Sequence, residues 1–115
     1  EIIITKDLRD RKTIMEERSD AFISLPGGFG TFEEFFEILT MKQLNFHNKP
    51  IVLLNTNGFY DKLFELIEYM YREEFAKEIY RKLYFIAPDV KSAISYIKDY
   101  KFSEPVMKWF DDINP

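Results

Sequence analysis

Apolar residues fall along the chain in two alternating rhythms. Short unbroken runs occupy residues 2–5, 21–25, 51–54 and 83–86, and runs of that length rich in β-branched and aromatic side chains suit strands covered on both faces. Between them the apolar positions recur every three or four residues. Residues 32–44 set Phe32, Phe35, Phe36, Leu39 and Leu44 on one helical face, and residues 59–71 do the same through Leu63, Phe64, Ile67 and Met70. The second of these helices is expected to be capped near Asn57 or Gly58, with Asp61 capping or beginning it. Residues 8–18 read as a short, charged, weakly amphipathic helix. Asp89 is expected to cap a last helix carrying Val90, Ala93, Ile94 and Ile97. Strand–helix alternation of this kind predicts βαβ units with right-handed crossovers, hence an α/β, Rossmann-like parallel sheet with helices on both faces. Ligands of such sheets sit at the carboxyl ends of the strands.

The triplet Ile2, Ile3, Ile4 calls for neighbours on both sides. The sequence is therefore read as the C-terminal part of a longer protein. Residues 1–102 would be the C-terminal part of one Rossmann-like nucleotide-binding domain. Residues 103–115 would form a tail whose apolar patch (Val106, Met107, Trp109, Phe110) docks on the body or on a second subunit.

Composition narrows the chemistry. With 46% hydrophobic and 17% aromatic residues among 115, the chain can build a core, which speaks against global disorder. Sixteen Lys and Arg against 20 Asp and Glu leave a net charge of −4, so nucleic acid is not an expected partner. No apolar run approaches a membrane span of about 18 residues. A cytoplasmic location is expected. With zero Cys there is no disulfide, thiolate zinc site or cysteine nucleophile.

The strongest clue is a cluster of glycines. Three of the chain's 4 glycines stand in Leu25-Pro26-Gly27-Gly28-Phe29-Gly30-Thr31-Phe32-Glu33-Glu34, between an apolar strand and what reads as the most amphipathic helix. Glycines there permit positive φ and close approach of a ligand to the backbone. The free N–H groups, the helix dipole and the Thr31 hydroxyl then make an anion site suited to phosphate. The pattern is neither a P-loop nor the dinucleotide fingerprint. Two structural alternatives stand beside this reading: a turn that needs glycine for geometry alone, and a Thr31–Glu34 capping box that folds Glu34 back onto its own helix. Glu33 and Glu34 are separated by about 100° around the helix, so at most one faces a ligand squarely. Arg9, Asp10, Arg11 and Lys12 follow the first strand and belong on the same rim.

These segments resemble the "lonely guy" family. The resemblance lies in Asp7-Leu8-Arg9-Asp10-Arg11-Lys12, Ser19-Asp20-Ala21-Phe22-Ile23 and Pro26-Gly27-Gly28-Phe29-Gly30-Thr31-Phe32-Glu33-Glu34. It continues through Thr40-Met41-Lys42-Gln43-Leu44, His47, Lys49-Pro50, Asn55 and Gly58-Phe59-Tyr60-Asp61. The family comprises cytokinin riboside 5′-monophosphate phosphoribohydrolases, whose bacterial relatives are often labelled possible lysine decarboxylases. The resemblance implies a Rossmann-like fold, a homodimer or higher homo-oligomer, and hydrolysis of a nucleoside 5′-monophosphate (AMP or N6-modified AMP) to free base and ribose 5-phosphate, without metal or cofactor. It implies Arg11 and Glu34 as the catalytic pair. Gly27, Gly28, Gly30 and Thr31 would hold the phosphate, with Lys12, Phe29, Glu33 and Thr40 also lining the site. Family members carry a further N-terminal portion that helps to form the nucleotide pocket and has no counterpart here.

Cleavage of an N-glycosidic bond develops positive charge on the ribose, which a carboxylate near the anomeric carbon stabilises while it orients or deprotonates water. Glu34 is assigned that role and Arg11 the anchoring of ribose or phosphate. The alternative function is a non-catalytic nucleotide or phosphorylated-cofactor carrier on the same fold. A pyridoxal decarboxylase needs a Schiff-base Lys with an acidic partner for the ring nitrogen, and no segment suggests that pair. His47 and the aromatic stripe of residues 59–84 are read as structural.

Overall fold

A computed structural model describes residues 8–100, with side chains from residue 12 onward. The strand expected at residues 2–5 and the tail expected at 103–115 lie outside the described residues. Three parallel strands, β1 (Phe22–Ser24), β2 (Ile51–Leu54) and β3 (Phe85–Ala87), form one sheet in the order β1-β2-β3. Their register pairs Ile23 with Val52 and Leu53 with Ile86. Four helices accompany them: α1 (Leu8–Arg18), α2 (Phe29–Gln43), α3 (Asp61–Arg72) and α4 (Val90–Asp99).

Every residue of β2 is buried, and alternation along the strand divides them between two cores. Ile51 and Leu53 join Phe35 and Ile38 of α2 and Ile67 and Tyr71 of α3. Val52 and Leu54 join Ala87 of β3 and Ala93 of α4. Helices thus cover both faces, as the unbroken apolar run required. Asp89 caps α4 by accepting a hydrogen bond from the Ser92 N–H at 2.7 Å.

Two boundaries depart from expectation. The third run is shifted: Leu83 closes a 3-10 segment (Glu78–Leu83), and the strand begins at Phe85. Asn57 and Gly58 belong to a separate 3-10 turn with φ of 54° and 70°, so α3 starts at Asp61 with Tyr60 in the cap position. The C-termini of α2 and α3 share one device. Phe46 N–H bonds to Met41 C=O and Phe75 N–H to Met70 C=O, each at 2.9 Å, across Asn45 and Glu74 in the left-handed region.

Candidate active site

The glycine turn is the exit from β1. After Ser24 the chain passes Leu25, Pro26 and Gly27, and Gly28 caps α2 with φ −103° and ψ −148°. The first helical bond runs from Phe32 N–H to Gly28 C=O at 3.2 Å, and no side chain caps this end. The N–H groups ahead of Phe32 therefore have no helical acceptor and point outward from the positive end of a 15-residue helix.

This geometry corrects two expectations. The helix opens at Phe29, not Phe32, so Thr31 is its third residue and not its cap; the Thr31–Glu34 capping box does not form. Nor do Gly27, Gly28 and Gly30 adopt positive φ, which among glycines belongs to Gly58 alone. Their role is room. A Cβ on Gly27 would overlap the Thr31 hydroxyl, whereas one on Gly28 or Gly30 would meet no atom within 4 Å. Gly27 lets the turn close on Thr31, and the other two leave open space over the amides.

Thr31 and Glu34 line one cleft of about 310 Å³ with Ile38; it runs along the whole of β1, from Ala21 to Pro26 beyond the strand's carboxyl end. Among the described residues the Glu34 carboxylate accepts no hydrogen bond. Glu33, one residue away, turns elsewhere and forms an ion pair with Lys12 of α1, whose ammonium also lies 3.8 Å from Glu37. The Glu33 hydrogen bond raises the Lys12 pKa. The two adjacent glutamates are thus divided: one neutralised by α1, the other facing the cleft. Phe29 stands 96% exposed beside the turn. Thr40 lies nine residues beyond Thr31, about 13.5 Å along the helix axis, and does not line this cleft. Arg11 lies in α1, its side chain outside the described residues.

One neighbour carries no signal in the sequence: Glu16 of α1 holds one carboxylate oxygen buried without a hydrogen-bond partner among the described residues. Desolvation raises its pKa, and Glu37 and Glu34 raise it further. His47 is satisfied at both nitrogens: Nδ1 accepts from Lys49 N–H at 3.1 Å, and Nε2 donates to Ile38 C=O at 3.0 Å. Burial lowers its pKa and keeps the ring neutral. A larger recess of about 700 Å³ lies over α4, where Phe85 and Tyr96 stack at 4.5 Å. It carries Lys91 and Asp99 on its lining and lies away from the glycine turn and its uncapped amides. Among the described residues no group of three or more His, Asp or Glu is placed to hold a metal, and no helix is long and apolar enough to cross a membrane.

Lys42 is the side chain to weigh for amine chemistry. It is buried, and desolvation lowers its pKa to about 8. Its ammonium donates to Leu83 C=O at 2.9 Å and sits 4.9 Å from the Tyr100 ring centre. It lines neither the cleft nor the recess, and among the described residues no carboxylate is paired with it. These residues do not fit a pyridoxal cofactor.

The model of the family described as "Possible lysine decarboxylase" matches residues 1–97. The cytokinin riboside 5′-monophosphate phosphoribohydrolase of Rhodococcoides fascians is 45% identical over 98 residues, covering 85% of this chain and 50% of the relative. The cytokinin riboside 5′-monophosphate phosphoribohydrolase LOG2 of Arabidopsis thaliana is 40% identical over 100 residues, covering 87% and 47%. The chain spans about half the length of the curated relatives it matches.

Proposed function

The chain belongs to the family described as "Possible lysine decarboxylase", and from that membership we propose that the whole protein hydrolyses the N-glycosidic bond of AMP or N6-modified AMP to free base and ribose 5-phosphate. The observation that carries the reading is the division of labour at one cleft. Uncapped amides at the start of α2 suit a 5′-phosphate, and Thr31 and Glu34 share the cleft beside them. Two relatives bear names that specify this reaction on cytokinin riboside monophosphates.

In this mechanism the amides of the glycine turn and the Thr31 hydroxyl bind the phosphate, with Gly28 and Gly30 leaving it room. The fixed phosphate end holds the sugar, so that its anomeric carbon meets Glu34 repeatedly in one orientation. The Glu34 carboxylate stabilises positive charge on the ribose as the bond to the base lengthens and its electron pair leaves with the base, then takes a proton from the attacking water; the departing base gains the balancing proton. Arg11 anchors the ribose or phosphate. Its assignment is supported by its neighbour Lys12, which brings this part of α1 against Glu33 and Glu37 of α2. Lys12, Glu33 and Phe29 form the rim.

We assign the active form to a homodimer or higher homo-oligomer in the cytoplasm. Phe29, Phe36 and Thr40 fall at intervals of seven and four on one exposed stripe of α2. A second subunit covering that stripe would bring Thr40 into an assembled site.

The test is base release from AMP and N6-isopentenyl-AMP by the full-length protein, with Glu34→Gln and Arg11→Ala alongside. Turnover by the parent, with a loss of about 10²- to 10⁴-fold in Glu34→Gln, is the expected outcome. Binding of AMP without release of base would overturn hydrolysis in favour of a carrier.

A further inference from the structure

Tyr60 has 0% of its surface exposed yet ends in a hydroxyl, and a buried phenol needs a partner to offset its desolvation. Its hydroxyl donates to the Leu25 carbonyl at 2.6 Å. That carbonyl belongs to the last residue before Pro26, so the bond lands where the rigid strand gives way to the glycine turn. On the far side of the turn the same ring packs edge-on against Phe32 of α2, with centroids 5.9 Å apart and planes at 87°. One side chain therefore grips both ends of the segment Pro26–Thr31, which supplies the uncapped amides.

The anchorage behind the ring is equally firm. Tyr60 N–H donates to the Asn55 side-chain oxygen at 2.6 Å, and the Asn55 amide nitrogen donates to Asp61 at 2.8 Å. Asn55 N–H in turn reaches Ala87 C=O at 2.8 Å, and Tyr60 C=O accepts from Phe64 N–H at 2.8 Å. Asn55 stands at the carboxyl end of β2 and Ala87 ends β3. The phenol is a strut running from the carboxyl ends of β2 and β3 to that of β1. Were packing all that this position required, phenylalanine would serve, and the Leu25 carbonyl would turn to water. Burial also raises the Tyr60 pKa, so the donor keeps its proton throughout the physiological range.

We propose that Tyr60 is a positioning residue for the glycine turn, its hydroxyl fixing through Leu25 the placement of the Gly27–Thr31 amides, so that it governs affinity for the phosphate end of the substrate and not the bond-breaking step. This rests on the reading that the turn binds a 5′-phosphate. It separates two properties that a merely structural tyrosine would alter together.

The experiment is Tyr60→Phe in the full-length protein, which keeps the ring and its edge contacts. Loss of one net hydrogen bond is expected to raise KM for AMP about five- to tenfold. The turnover number should stay within about twofold, and cleavage of adenosine, which has no phosphate, should keep its kcat/KM. In amide relaxation measurements the order parameters of Gly27, Gly28 and Gly30 should fall, while that of Asn55 on the anchored side holds. Unchanged KM with unchanged order parameters at the turn would overturn the proposal, as would equal losses on AMP and adenosine. A parent protein that releases no base defeats the hydrolase reading instead. The order parameters of the three glycines, with AMP affinity measured by calorimetry, then still decide whether the strut exists.

Discussion

At pH 7 the Lys42 ammonium is carried inside the protein with one carbonyl and one aromatic ring for company, and that should be measurable as a stability deficit. Displacing an amine from 10.5 to about 8 corresponds to roughly 3 kcal/mol of preference for the neutral form. The sign follows from proton counting. Below pH 8 Lys42 is charged in both folded and unfolded states, so the full penalty applies. Between pH 8 and 10.5 the unfolded chain binds more protons than the folded one, and stability rises with pH. Lys42→Met removes the buried charge but forfeits the bond to Leu83, worth about 1 kcal/mol. The variant should therefore be about 2 kcal/mol more stable at pH 7. The gap should close almost completely by about pH 9.5, where deprotonation has returned about 2 kcal/mol to the parent. Urea unfolding of both proteins at pH 7, 8, 9 and 9.5 reads this directly. Lys42 also helps depress His47, whose ordinary value already lies below this range, so it contributes little to the comparison. The range stops short of the phenols: Tyr71, Tyr84 and Tyr100 are all held above their ordinary value by burial. A gap that does not vary with pH, or a variant less stable at every pH, refutes the reasoning.

Other expectations follow from the turn and the helix ends. Gly30→Ala adds a methyl where no atom lies within 4 Å, so it should stabilise α2 by up to about 1 kcal/mol in thermal unfolding while weakening AMP binding in calorimetry; a gain in both would show that the open space is not the ligand's. Glu74→Gly relieves a left-handed residue at φ 64° and should add about 1 kcal/mol in urea unfolding. Asp89→Ala removes the acceptor for Ser92 N–H and should lower protection of the first turn of α4 in hydrogen exchange. Because that hydrogen bond holds the Asp89 pKa down, the cap's contribution in the parent is present at neutral pH and lost as pH falls through the folded value.

The sequence made the sheet legible because β2 must satisfy two cores at once. Ile51, Val52, Leu53 and Leu54 leave no polar face, and a strand of that kind exists only between layers. Asp89 was equally readable, since an Asp ahead of an apolar-periodic segment has one favourable use. The start of α2 was not. Its apolar rhythm begins at Phe32, but the helix begins at Phe29, because Phe29 and Gly30 contribute nothing to the core and so leave no mark in a pattern of burial. Gly30, one of the two that escape the pattern, is also one of the residues that leave space over the turn's amides. What fixes the helix boundary is backbone accommodation at Gly28, which hydrophobic periodicity cannot report.

Glu33 and Glu34 carry this further. Sequence spacing established only that they diverge; which one turned to the cleft depended on the place of Lys12, 21 residues away in the chain. Once Lys12 lies against α2, Glu33 is the carboxylate it neutralises, and Glu34 is left to the cleft by elimination. The same holds for Tyr60, whose partner Leu25 lies 35 residues earlier: its ring advertises itself as core, and only the fold reveals that the hydroxyl ends on the turn. The residues proposed to bind are visible in the motif. Those that aim the motif act across the sheet, where the order of the strands, and not the spacing of residues, decides who meets whom.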